Sequence, residues 1–170
     1  NPGWGPSPHG VYMSEDRAAS WTQVLPQLPG QGGSVAFDEA SYDTRTRTCR
    51  VAYFASSTAG LFRTEDGGRT WSHVSDQPVG MAPDPNTPVG IRTHPSRAGV
   101  LYLGGRTGLF RSEDAGKTFT RARDGEVWGM DTAPTAPDDV YLSGSFGLLV
   151  SHDAGRTFST LPAAGLDRDG

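Results

Sequence analysis

Among the 170 residues, 19 acids, 15 Lys and Arg, four His and one Cys could do chemistry, and their spacing separates the possibilities. Glycoside hydrolysis needs two carboxyl groups about 5–10 Å apart across a cleft. Asp76, Asp84, Asp124, Glu126 and Asp131 are the acids that stand outside any repeated motif and nearest to a plausible binding face, and their spacing selects no pair. His9, His73, His94 and His152 are far apart and show no ligand-type spacing, so no metal and no other cofactor is expected. Cys49 is alone, which excludes an intrachain disulfide and fits a structural thiol better than a nucleophile. Gly-x-Ser-x-Gly is absent in full, and Gly144-Ser145 stands in a turn between strands without the strand-to-helix elbow that nucleophile requires. What remains is binding chemistry. Arg92, Arg106, Glu126, Trp128 and Phe146 supply guanidinium, carboxylate and ring, the groups that hold a sugar by hydrogen bonds and stacking. The competing reading is that Trp128 and Phe146 pack between elements and Arg92 pairs with a neighbouring acid.

Four other acids recur in register. Asp16, Asp66, Asp114 and Asp153 are the third residues of four octets: Ser14 to Trp21, Thr64 to Trp71, Ser112 to Phe119 and Ser151 to Phe158, at periods of 50, 48 and 39 residues. An Asp can accept backbone N–H bonds within a tight turn, a Gly can take positive φ, and Ser or Thr hydroxyls can bond the same loop. The octet therefore reads as a turn between antiparallel strands, with its Asp structural and its last aromatic residue pointing into the core. The first copy has Ala18 where the others have Gly, so distortion is expected there.

The elements that position these groups are short strands. Each octet follows a run opened by Gly: Gly10-Val-Tyr-Met, Gly60-Leu-Phe-Arg, Gly108-Leu-Phe-Arg and Gly147-Leu-Leu-Val. The last three are preceded by β-rich runs from Val51, Val100 and Val140, and these by runs from Ser34, Val89 and Val127. One repeat is thus four strands, A to D. With 23 Gly and 13 Pro there is little length for helices, so the chain is expected to be all-β. A net charge of −4 with interspersed signs gives no basic stripe for nucleic acid, and the apolar runs are too short to span a bilayer. Asn1 to Gly10 lack a signal pattern and there is no initiating Met, as in a mature or excised piece.

The octet resembles the Asp-box, or BNR, repeat S/T-x-D-x-G-x-T-W/F of sialidases, family 74 xyloglucanases, sortilin-type receptor domains and photosystem assembly factors. The resemblance covers Gly10 to Leu161 and implies a β-propeller of four-stranded blades around a channel. Residues 10–24 would form a half blade and 33–74, 87–122 and 126–161 three whole ones, within one unit of 1–170. About three and a half blades cannot close a ring, so missing blades are expected from a longer chain or another chain. The resemblance further implies that ligands bind where the D–A and B–C loops gather, opposite the octets. The function expected is a glycan- or protein-binding module. The alternatives are a glycoside hydrolase whose acids lie outside this chain, and an assembly-factor or receptor scaffold. Family 74 enzymes carry an acid in the loop before strand C, and here residues 57–60 and 106–108 hold none; the Arg-Ile-Pro motif of sialidases is also absent. The family favours an extracytoplasmic or secreted location. Two further loops stand out: Glu39 to Arg50, basic through Arg45, Arg47 and Arg50, and the proline-rich D–A connection Ser75 to Pro88.

Overall fold

A computed structural model describes residues 10–26, 33–77 and 90–161. Asp84, His9 and most of the proline-rich connection lie outside these residues. Strands β1 (Val11–Met13) and β2 (Thr22–Leu25) pair as a two-stranded sheet. Next come β3 (Gly33–Phe37), a single 3-10 turn at Glu39–Ser41, the small hairpin β4 (Tyr42–Asp43) and β5 (Thr48–Cys49), then β6 (Ala52–Ser56), β7 (Gly60–Thr64) and β8 (Ser72–Ser75). They are followed by β9 (Gly90–Thr93), β10 (Leu101–Gly105), β11 (Gly108–Ser112) and β12 (Thr120–Arg123). The last four are β13 (Val127–Ala133), β14 (Ala136–Gly144), β15 (Gly147–Ser151) and β16 (Ser159–Thr160). Apart from the hairpin, neighbours in sequence are neighbours in space, giving sheets β3-β6-β7-β8, β9-β10-β11-β12 and β13-β14-β15-β16, all antiparallel.

The fold is a partial β-propeller: a half blade, then three four-stranded blades packed face against face. Alternation along each strand gives a blade two faces, and both can be apolar because each meets a neighbour. Ala36, Tyr53, Ala55 and Leu61 of the second blade pack against Ile91, Leu101 and Leu103 of the third. Tyr102 and Leu109 of the third pack against Val140, Leu142 and Leu149 of the fourth. Full burial of each Leu, Ile or Val among them stabilises by about 1.5–3 kcal/mol, so these two seams are the core.

Register defines which residues are equivalent. Tyr53 lies across from Ala36 and Arg63, Tyr102 from Arg92 and Arg111, and Tyr141 from Asp131 and Val150. The three tyrosines therefore occupy one position, although Tyr141 directly follows Val140 whereas Tyr53 and Tyr102 stand two residues after Val51 and Val100.

The strand order puts the A–B connections and the octets at one end of every blade and the B–C and D–A connections at the other. Two expectations need correction. Trp21 does not point into a core but is 60% exposed, because among the described residues the first sheet has only two strands, β1 and β2. Trp71 is half-buried with its Nε1 donating to Gly68 O, and Phe119 and Phe158 pack against the seams. The second correction concerns Ala18, below.

Candidate functional site

At the octet end, each Asp is held by the same short-range bonds. In the second octet, Thr64 Oγ1 and Thr70 N donate to Asp66 Oδ1 at 2.8 and 2.9 Å, and Thr70 Oγ1 donates to Oδ2 at 2.6 Å. Asp114 takes bonds of 2.8, 2.9 and 2.6 Å from Ser112 and Thr118, and Asp153 takes 2.7, 2.8 and 2.6 Å from Ser151 and Thr157. Hydrogen bonds to the charged form lower a carboxyl pKa. The hydroxyls of Ser20 and Thr118 are the largest cause in holding Asp16 and Asp114 at about 2, and Asp66 and Asp153 are held lower still by Thr70 and Thr157. Such a group has no proton to give near neutral pH, and both of its oxygens are already engaged.

The first octet is not distorted. Ala18 takes φ 68° in the left-handed region, as Gly68, Gly116 and Gly155 do, and its N–H still reaches Ser14 Oγ at 2.7 Å. That conformation costs a residue with a Cβ about 1–2 kcal/mol. The third and fourth turns need Gly for a second reason. A Cβ on Gly116 would stand 2.2 Å from Leu61 Cδ2, and one on Gly155 2.7 Å from Tyr102 Cε1. Each glycine is a seat for the preceding blade, whereas Ala18 belongs to the first described blade.

Polar bonds stitch the same seams. Asp38, ending β3, accepts Gly99 N of the third blade at 3.2 Å. His94, ending β9 and fully buried, holds Asp138 of the fourth blade through Nε2 at 3.0 Å, while its Nδ1 accepts Ser96 and Arg97 N–H groups. Two accepted bonds at Nδ1 place the proton on Nε2. Burial pushes the His94 pKa down against the opposing pull of Asp138. Thr93 Oγ1 donates to Phe37 O at 2.7 Å, and Arg111 Nε and Tyr102 OH both donate to Ala154 O, at 2.7 and 3.0 Å. On the surface, Arg69 meets Glu15 and Arg156 meets Glu113, the sixth residue of one octet with the second of the octet before it. None of these partners was singled out from sequence; only the Glu-to-Arg spacing of successive octets carried a readable signal.

The loop-rich end is less constrained. Ser145 and Glu126 exchange backbone and side-chain bonds of 3.0 and 3.1 Å, which brings the B–C turn of the fourth blade onto the D–A connection before it. Phe146 turns inward against the seam between the third and fourth blades, with Arg123 over its ring at 5.0 Å. Trp128 sits at a register shift between Val127 and Gly129, where strand alternation is broken, and is 70% exposed. Arg106 is exposed in the turn between β10 and β11 and makes no ion pair among the described residues.

Arg92 is not part of this group. Its Nε meets Asp131 at 3.2 Å in an open cleft of about 390 Å³ that also holds Phe37, Glu39 and Pro134, on the A–B side. Phe37 is 60% exposed there, on the face where A and B strands of the first blade would lie. Of the unrepeated acids, Asp124 pairs with Arg121 and Asp76 lies 3.5 Å from His73. Among the described residues no group of three His, Cys, Asp or Glu is placed to hold a metal ion. Burial and the nearby Glu39 and Asp38 push the Cys49 thiol up, away from its reactive form. The Glu39 to Arg50 loop is a short solvated hairpin tied to the second octet by Gly67 N donating to Arg50 O.

No protein-family model matches the sequence, and no curated protein matches it. Solved structures do. A GH74 enzyme from Niastella koreensis aligns over 91% of this chain and 27% of its own, at 18% identity and a TM-score of 0.64. The GH74 xyloglucanase from Xanthomonas campestris aligns over the same shares at 19% identity and 0.61. YCF48 from Cyanidioschyzon merolae aligns over 84% of this chain and 40% of its own, at 19% identity and 0.56. At these identities the likeness concerns the propeller fold, and the chain spans about a quarter of the length of the two enzymes.

Proposed function

We propose that this chain is a segment of an Asp-box propeller, its octets being Asp boxes, and that it binds a glycan or a protein ligand on its loop-rich face. The blades are proposed as residues 33–74, 87–122 and 126–161, after a half blade at 10–24. The observation that carries the reading is the contrast between ends. Octet carboxylates have both oxygens bonded within their own turns, whereas Trp128 is 70% exposed and Arg106 has no ion pair among the described residues. An exposed ring and an exposed guanidinium at the same end of the blades can stack on and hydrogen-bond to a ligand. Glu126 lies two residues before Trp128, and Phe146 packs against the seam between the third and fourth blades.

A second reading draws on the two GH74 neighbours: a glycoside hydrolase whose catalytic acids lie in blades outside this chain. Asp131 and Asp124 are each matched to an arginine, which leaves them poorly placed as a catalytic pair. A glycan array containing xyloglucan oligosaccharides and sialosides, run beside hydrolysis assays on both, tests the readings. Binding that weakens in Arg106→Ala and Trp128→Ala but persists in Asp114→Ala supports the module. Hydrolysis by this chain alone would favour an enzyme. Silence in both assays with a stable protein complex in pull-down would favour a scaffold.

A further inference from the structure

Both described seams bury a tyrosine at one register position, but only the seam between the third and fourth blades uses its hydroxyl: Tyr53 OH finds no hydrogen-bond partner among the described residues, and Gly116 seats against Leu61. Tyr53 and Tyr102 are each fully buried under the next blade, and Tyr102 donates its hydroxyl to Ala154 O, the fourth residue of the following octet, while Gly155 seats against its ring. Register puts Tyr141 at the same position of the fourth blade, yet it is 39% exposed, with its hydroxyl 3.3 Å from Asp139 Oδ2. Leu148 and Leu161 flank it at 41% and 38% exposure, over an open groove of about 270 Å³ that reaches Met130, Leu142 and Leu149.

We propose that this face is an unfilled seam and that its occupant is a further octet-bearing blade continuing the repeat. The Tyr141 hydroxyl would donate to the carbonyl of that octet's fourth residue, and its fifth residue would be Gly. The proposal rests on the propeller fold and is independent of the ligand reading. Continuity with the seam between the third and fourth blades supports it at Tyr141 and Leu148, which register with Tyr102 and Leu109. The seam also has its own chemistry. Val150 stands where Arg63 and Arg111 stand, and His152 stands where Glu15, Glu65 and Glu113 stand, already 2.7 Å from Asp139. The incoming octet therefore needs no arginine at its sixth position. The first blade of a second copy is a poor occupant, because Ala18 puts a Cβ where Gly155 seats against Tyr102.

The test appends residues 90–123, a second copy of the third blade, after Gly170 of the full chain. Nitration of Tyr141 by tetranitromethane, followed by peptide mass spectrometry, is expected to slow several-fold relative to the unextended chain, and the thermal midpoint to rise. Both gains should vanish with Leu in place of the appended octet glycine. The rise in thermal midpoint should also vanish in Tyr141→Arg with the appended blade unaltered, which guards against a misfolded appendage. Equal nitration with and without the appended blade would overturn the proposal. So would Tyr141 already protected in the unextended chain with a dimer mass in sedimentation, since the occupant would then be a second copy.

Discussion

The octet end and the loop-rich end close the same strands, yet they hold their residues by different means. At the octet end every turn carries the same set of bonds, and Gly116 and Gly155 each seat the blade before them. At the loop-rich end the three B–C turns share no side-chain pattern: Ser57 to Ala59, then Arg106 and Thr107, then Ser145 and Phe146. Repetition at one end fixes the scaffold, and its absence at the other leaves positions free to differ without loss of the fold.

The largest test of this contrast is a pair of glycines with nearly the same φ. Gly116 and Gly147 have φ of 86° and 84°, but a Cβ on Gly116 meets Leu61 while one on Gly147 meets nothing within 4 Å. Gly116→Val combines overpacking with left-handed strain and should lose about 2–5 kcal/mol in urea unfolding. Gly147→Ala should lose only about 1 kcal/mol, from backbone strain alone. Equal losses would show that Gly116 is needed for its φ and not as a seat.

Acid separates the octet turns from the buried histidine. The Asp carboxyls have folded pKa values below the unfolded value of 3.8, with Asp16 and Asp114 at about 2. Their contribution is fully present above the unfolded value and is lost as pH falls from there toward 2. His94 is depressed below 6.5 chiefly by burial, with Arg97 and Arg111 acting the same way and Asp138 opposing. The unfolded chain thus takes up this proton first, and stability falls as pH drops below about 6.5. Thermal midpoints should decline in two limbs, and His94→Gln should flatten the upper limb while keeping the lower. A single limb below pH 4 in both proteins would mean that burial does not hold His94 below its unfolded value.

How far the sequence foretold this structure depends on the range of each interaction. The octets were legible because Asp16 bonds Ser14 and Ser20, and its counterparts repeat the spacing, so composition within eight residues sets the turn. The A-to-D strands followed from the same local signals. The seams were not legible, since Asp38 finds Gly99 and His94 finds Asp138 only after the blades have stacked. Tyr141 was hidden by a one-residue offset from Tyr102 that pairing alone reveals. Trp128 and Phe146 looked alike as aromatic residues near loops. A register shift turns the first out to solvent, and a turn folded onto Glu126 brings the second against the seam.

That last difference gives the smallest predicted effect and the most direct probe of the loop-rich face. Arg106→Ala and Trp128→Ala remove exposed side chains that hold no partner in the core, so each should change stability by no more than about 0.5 kcal/mol. Phe146→Ala, on the same face, removes a ring that packs with Leu109 and Leu149 and lies under Arg123, and should lose about 1–3 kcal/mol. Urea unfolding of the three variants ranks them. If Trp128→Ala proves as destabilising as Phe146→Ala, the ring serves packing and the loop-rich face loses its strongest binding candidate. If it is neutral, the fold does not use the ring, which leaves it available for the proposed ligand contact.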